Sequence, residues 1–287
     1  MKNASLTLKG VVLMAIGVLL LTINDAVSKY LVLSHPVGQV IFLRQAATLL
    51  VMIPYVMLVT GWGALRVVNG PGQLTRGLLF IAGSVCIVMS LELLPLAMVT
   101  TILFTTPIFV AAFSAPVLGE RVGLHRWVAV FGGFAGVLIV VQPGTAVFQW
   151  ALLLPVAASF INAFRDVLTR FLSRSETSIA MLFWSNIILM AGSALTLPWS
   201  WQPVGTTAAL WFVVAGFCNG AAHFFVIEAL RVSEASAMAP VRYTSLIWAA
   251  LLGFVLWAEV PGVWLWAGAA VIVGSSLYMI RAERRRG

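Results

Sequence analysis

Residues 25–31 read DAVSKYL and residues 166–172 read DVLTRFL, so an acid, a hydroxyl, a base, an aromatic ring and a closing Leu return in order 141 residues on. Each copy ends a long apolar run, where ionisable groups are costly and are tolerated when they face a bundle interior or water. Within each copy the acid and base stand four residues apart on one helix face, where they can partly neutralise each other. A chain that repeats such an element about half its length apart is built from two related halves.

Composition defines the medium those halves occupy. Of 287 residues, 61% are hydrophobic and 9% charged, with a mean hydropathy of +1.04, whereas soluble domains carry about 25% charged residues. The apolar residues fall in blocks of roughly 18 to 23, the length of helix that crosses a hydrocarbon core of about 30 Å. They do not alternate as barrel strands must. The expected fold is an all-α polytopic membrane protein with ten spans, at about 10–33, 38–59, 74–94, 97–117, 125–142, 149–171, 178–198, 208–229, 236–257 and 262–281. The first apolar run is long, contains Asp25 and Lys29, and lacks a small-residue cleavage pattern, so it reads as a first span and not as a signal peptide. Cys86 and Cys218 fall inside spans without CxxC spacing and read as small packing residues.

With both termini on one side, that side receives thirteen of the 17 basic residues: Lys2, Lys9, Arg66, Arg76, Arg121, Arg126, Arg170, Arg174, Arg231, Arg281, Arg284, Arg285 and Arg286. The opposite loops receive none, and Lys29, Arg44, Arg165 and Arg242 fall within spans. Cytoplasmic loops keep the Lys and Arg excess. Both termini are therefore expected on the cytoplasmic side of the membrane. The net charge of +8 follows from this topology and does not call for nucleic acid as a partner.

A second echo supports the halves: Glu120, Gly123 and Trp127 recur 139 residues on as Glu259, Gly262 and Trp266. We read residues 1–144 and 145–287 as five-span repeats. Five is odd, so span one and span six cross in opposite directions and the repeats are inverted. Inverted repeats are a transporter plan, with the substrate site at their interface near the bilayer midplane.

The ten spans in two halves, LLPLAMVTTILFTTPIFVAAFSAPVLGE (93–120) and its counterpart ALRVSEASAMAPVRYTSLIWAALLGFVLWAE (229–259), resemble the drug/metabolite transporter superfamily, EamA type, over nearly the whole chain. Within it the chain is most similar to bacterial inner-membrane exporters of amino acids, aromatic ones included, and other metabolites. The resemblance implies a central cavity surrounded by all spans but the fifth and tenth, and transport outward.

The charges inside spans are the first site candidates. Asp25 and Asp166 lie deep and are either site or gate residues; Lys29 and Arg170 stand nearer the membrane faces, where they can snorkel, tether helices or form gates. Arg44 and Arg242 have no acid four residues away, so each needs a partner across helices or an anion in a cavity. This positive bias would welcome a carboxylate-bearing substrate, unless Glu92 or Glu228 supplies the balance. His223 titrates in the range useful for proton coupling, or else is a hydrogen-bonded packing residue. Asn24, Asn162, Ser28, Thr169, Thr100, Thr101, Thr105 and Thr106 line a polar path or bond helices together. Pro107 and Pro240 remove helix hydrogen bonds and can expose carbonyls. Phe104, Tyr243, Trp184, Trp211 and Trp248 offer rings for stacking, though many such rings simply face lipid. Gly132 and Gly136 form a GxxxG that permits close helix approach, and Glu120 and Glu259 read as capping or loop-bonding residues.

No metal-ligand spacing, HExxH, GxSxG, GxGxxG or P-loop occurs, so no enzyme, no cofactor and no ATP hydrolysis is expected. The function expected is a secondary transporter exporting small metabolites, amino acids above all. Cationic drugs or nucleotide sugars are the alternative cargo, and a membrane enzyme or scaffold is the alternative class. Protons are the candidate coupling ion, and a monomer can hold the complete device.

Overall fold

In hydrocarbon every backbone N–H and C=O must be paired within the segment, which favours helices, and no strand occurs among the described residues. The computed structural model describes residues 2–106, 108–110, 112–113, 124–142, 149–173, 175–232 and 241–284, with backbone alone at 2–8, 124–126, 129, 170, 227–228, 230–232, 276, 279–280 and 282–284. The main helices are α1 (Lys2–Val32), α2 (Val37–Tyr55), α3 (Gly70–Leu93), α4 (Leu96–Leu103), α5 (Leu124–Val141), α6 (Leu153–Leu172), α7 (Ser178–Ala194), α8 (Thr206–Val232), α9 (Ser245–Trp257) and α10 (Val263–Arg284). Five stretches are long and apolar enough to cross a membrane by themselves: Lys9–Val32, Val37–Thr60, Gly70–Leu93, Trp150–Thr169 and Thr206–Val226.

Local chemistry sets the boundaries. Pro36 and Pro95 stand immediately before α2 and α4, where a missing N–H costs nothing. Asn69 caps α3 by accepting from the Gly72 N–H at 2.9 Å, and Thr177 caps α7 through the Ala180 N–H at 3.1 Å. Past Pro54, α2 continues as a π-turn over Val56–Thr60 and stops at Gly61, whose φ of 73° suits a residue without Cβ.

The two halves mirror each other in packing. Helix α1 lies along α8, as its inverted counterpart α6 lies along α3; α2 faces α7, α4 faces α9, and α5 packs on α10. The fourth span is broken at Phe104–Thr105, and the ninth has its turn at Tyr243–Thr244, the equivalent place 139 residues on. Pro107 and Pro240, the expected sources of bending, lie outside the described residues. At the first break the Ile102 carbonyl accepts from the Thr105 N–H (3.0 Å), the Thr105 hydroxyl (2.7 Å) and Ser159 Oγ (3.2 Å). Thr100 and Thr101 return their hydroxyls to Leu96 and Ala97 carbonyls within their own helix and line no polar path.

The GxxxG of α5 is a packing element. A Cβ on Gly136 would meet Ile272 at 2.6 Å and the Gly268 carbonyl at 3.0 Å on α10. Gly136→Leu is therefore expected to separate α5 from α10 and lower the melting temperature in detergent, while Gly274→Leu, with open space at that position, leaves it unchanged. Cys86 and Cys218 are both free thiols.

Candidate functional site

Between the halves lies a cavity of about 860 Å³, within the size range of pockets that take small-molecule ligands. Its walls come from α2, α3, α6, α7 and α8, with Arg242 just ahead of α9. Among the described residues, α5 and α10 give no lining residue, as the resemblance implies, and neither do α1 and α4, which it does not. The cavity reaches Thr60 and Glu176–Ser178, on the face that carries both chain termini.

Its interior combines rings with fixed polar groups. Tyr55, Phe80, Phe217, Phe224 and Phe225 supply aromatic surface, and Thr48, Asn186, Asn219 and His223 supply donors and acceptors. Gln45 Nε2 donates to Asn186 Oδ1 at 2.6 Å, and Asn219 Nδ2 donates to Thr48 Oγ1 at 3.2 Å. His223 Nδ1 lies 2.8 Å from the Asn219 carbonyl. A carbonyl can only accept, so Nδ1 carries the proton and Nε2 of the neutral ring is left as an acceptor.

The charged groups are arranged as restraints. Arg76, buried at 8% exposure, donates from Nε to Thr169 Oγ1 on α6 at 2.8 Å and from Nη1 to the Met181 carbonyl at 2.6 Å and to Ser185 Oγ on α7. Arg165 pairs with its neighbour Asp166 at 3.2 Å and lays its guanidinium 5.1 Å from the Phe80 ring centroid. Glu176 Oε1 accepts from the N–H groups of Val68 (2.8 Å) and Asn69 (2.7 Å), tying the α6–α7 turn to the start of α3. Among the described lining residues, and His223 aside, three arginines stand against Asp166 and Glu176, one more basic side chain than acidic.

The far end is shut. Lys29 Nζ meets Glu259 Oε1 at 2.9 Å, donates to the Leu94 carbonyl at 2.5 Å and lies 5.5 Å from the Trp257 ring centroid. Glu259 Oε2 accepts from the Leu96 N–H at 2.9 Å. One ion pair thus joins α1, the α3–α4 corner and the α9–α10 turn, where Ala258 adopts φ 55°. Behind it, Arg44 Nη1 donates to Ser28 Oγ at 3.1 Å while its Nε has no hydrogen-bond partner among the described residues, and Asp25 accepts from Asn24 Nδ2 at 3.0 Å.

Of the residues expected to form the site or a polar path, Asp166, Thr169, His223 and Arg242 line the cavity. Asp25, Lys29 and Arg44 lie together toward the shut end. Phe104 and Tyr243 face each other, ring centroids 5.0 Å apart, and are not part of the cavity wall. Asn162 packs beside Gly83, and Trp184 donates its Nε1 to the Leu65 carbonyl at 2.9 Å; neither lines the cavity. Trp248 is half-buried in α9, also outside the wall, and Trp211 packs edge-on against Tyr30.

Four expectations are corrected. Lys29 does not snorkel: it is 6% exposed, and its ammonium is held by Glu259 Oε1 and the Leu94 carbonyl. Asp25 does not pair with the base four residues on, since Lys29 reaches Glu259 beyond its own helix, while Asp166 pairs with its neighbour Arg165. Arg76 is no flanking charge but a buried cavity residue, held by acceptors on two other helices. Glu92 is exposed and balances no buried arginine. The side chains of Arg170 and Glu228, and all of Glu120, lie outside the described residues. Sequence reasoning missed Arg76, Gln45, Asn186, Asn219 and Glu176; polar residues inside apolar blocks were the signal for the first four.

Comparison with known proteins agrees with this architecture. The profile of the EamA-like transporter family matches residues 8–142 and again 149–281. A riboflavin transporter of Rhizobium johnstonii is 30% identical over 88% of this chain and 84% of its own length. An S-adenosylmethionine uptake transporter of Rickettsia prowazekii is 27% identical over 97% and 94%, and a pseudopaline exporter of Pseudomonas aeruginosa is 24% identical over 96% and 97%. One solved crystal structure shares the fold over 99% of both chains, with a TM-score of 0.67 and 20% identity. Two tandem family matches, an inverted ten-helix bundle and a cavity between its halves place this chain in the EamA-like transporter family, as an integral membrane transporter of small molecules and not an enzyme.

Proposed function

We propose that the chain works by alternating access on a metabolite built from a flat ring and a charged or hydroxyl-bearing tail, aromatic amino acids being its smallest members. The observation that carries this reading is the lining itself: five aromatic rings beside Thr48, Asn186, Asn219 and His223, with an excess positive charge. Rings stack on a planar group, while fixed amides and arginines orient a polar, anion-bearing end. The cargo named for the relatives, riboflavin and S-adenosylmethionine, supports a ring with a polar tail; the cationic lining also suits a free carboxylate. It disfavours purely cationic drugs.

Residues 1–144 and 145–287 are the two repeats in this reading. The basic face is cytoplasmic in an inner membrane, so the cavity is inward-facing and Lys29–Glu259 closes the outer gate. Asp166, His223 and Arg242 belong to the binding site, Asp25 and Arg44 to the gate region, and protons are the coupling ion through His223 or the acids. Net export follows where the substrate accumulates inside, since inverted halves serve both directions.

Counterflow into proteoliposomes with riboflavin, S-adenosylmethionine, phenylalanine and ethidium tests the cargo. Exchange of at least one of the first three, with none of ethidium, is expected. Asn219→Leu removes the side-chain amide that donates to Thr48 and lines the cavity, while the backbone carbonyl that orients His223 stays. It is expected to raise the apparent KM about tenfold with the melting temperature held. Ethidium exchange alone would sink the reading.

A further inference from the structure

An inverted repeat changes access by exchanging the conformations of its halves about an axis in the membrane plane. A contact between residue a of one half and residue b of the other is then replaced by the contact between their counterparts. A contact between a residue and its own counterpart behaves differently, because the exchange carries it onto itself. Such contacts can lie only on the axis.

Two occur here. Gln45 and Asn186 are 141 residues apart, the offset of the two heptads and of the two family-match starts at 8 and 149. They are hydrogen-bonded to each other at 2.6 Å, both buried, where α2 crosses α7. Phe104 and Tyr243 are 139 residues apart, the offset of the match ends at 142 and 281. Their rings meet edge to face at 5.0 Å, each at the break in its own span. Lys29 and Glu259, by contrast, are not counterparts: theirs are Arg170 and Glu120, so that pairing must be given up when access changes.

We propose that Gln45–Asn186 and Phe104–Tyr243 are the stationary pivots of the transport cycle, kept in both access states while Lys29–Glu259 parts. The inference rests on the alternating-access reading above. It makes Gln45, Asn186, Phe104 and Tyr243 positioning residues, and it explains two features that substrate binding does not. A buried amide pair joins the halves next to the cavity, and two helix breaks bring their rings together instead of presenting them to cargo.

The test uses full-length protein in proteoliposomes, with Cys86 and Cys218 replaced by Ala. Spin labels on non-natural side chains at Tyr30 and Val260, both exposed and flanking the gate, report its opening by electron–electron resonance. Pairs of cysteines are joined by a short bifunctional thiol reagent: Gln45→Cys with Asn186→Cys, Phe104→Cys with Tyr243→Cys, and Lys29→Cys with Glu259→Cys. Unlinked protein is expected to show a short and a long distance. Linking either axis pair changes the long-distance population less than about twofold, whereas linking the gate pair abolishes it. If an axis link also abolishes it, the pivot is wrong while alternating access stands. A single distance in unlinked protein overturns the alternating-access reading, and the pivot with it. The axis-linked proteins must melt no lower than their unlinked forms, and two independent axis pairs guard against one that fails to fold.

Discussion

Glu259→Gln is expected to unseal the closed end. The substitution keeps the size of the side chain but removes the carboxylate that pairs with Lys29, a residue at 6% exposure. What remains to Lys29 is the Leu94 carbonyl and the Trp257 ring face. Removing one partner of a buried pair costs about 3–5 kcal/mol, or roughly two to three orders of magnitude in an equilibrium constant. The opened state, in which the ammonium meets water, escapes that cost. A single cysteine at Leu94, which is 2% exposed beside the pair, should then react with an impermeant maleimide at least about tenfold faster than in the parent. Lys29→Met with Glu259→Leu should recover much of the protection, because an apolar pair leaves no stranded charge. Unchanged reactivity in Glu259→Gln would show that helix packing and not the ion pair seals this end.

Arg76→Lys is expected to be nearly as damaging as Arg76→Gln. The guanidinium serves Thr169 on α6 and both the Met181 carbonyl and Ser185 on α7 while standing on α3. A planar fork can satisfy acceptors on separate helices at once; an ammonium on a flexible stem cannot hold that geometry. Bonds to a charged group are worth about 1.5–3 kcal/mol each, so the loss of α3–α6–α7 cohesion should exceed that of a single bond. Counterflow of whichever of riboflavin, S-adenosylmethionine and phenylalanine the parent exchanges should drop at least about tenfold, with a clear fall in melting temperature. Arg66→Gln is the control, since Arg66 is exposed on the same face and should change neither. Unaltered counterflow in Arg76→Lys would mean that charge alone suffices there.

Arg66 and Arg76 also show how far the chain could be read without coordinates. Both lie near span ends and both count equally toward the basic face. Only packing distinguishes them, by bringing Thr169, Met181 and Ser185 from 93 to 109 residues away to one of the two. Lys29 is a parallel case. Its spacing from Asp25 pointed to a pair along one helix, yet Glu259, distant in sequence, is the closer oxygen. Asp166 likewise pairs with Arg165, the neighbour that i, i+4 reasoning passes over.

The helical membrane fold, the ten spans, the inversion of the halves and the repeat offset of about 140 residues were all written in the linear pattern. Hydrophobic length and periodicity act locally, and a repeat is a relation within the sequence itself. The location of the breaks at Phe104 and Tyr243 was half visible, through the nearby prolines. What the tertiary structure alone decided is which polar groups meet: Lys29 with Glu259, Gln45 with Asn186, Arg76 with two helices, and DAVSKYL as a sealed end while DVLTRFL faces an open cavity. The two heptads are nearly the same chemistry. Their difference in environment comes from how the halves pack against each other, and that is settled by the long-range fit of helices, which no stretch of either copy contains.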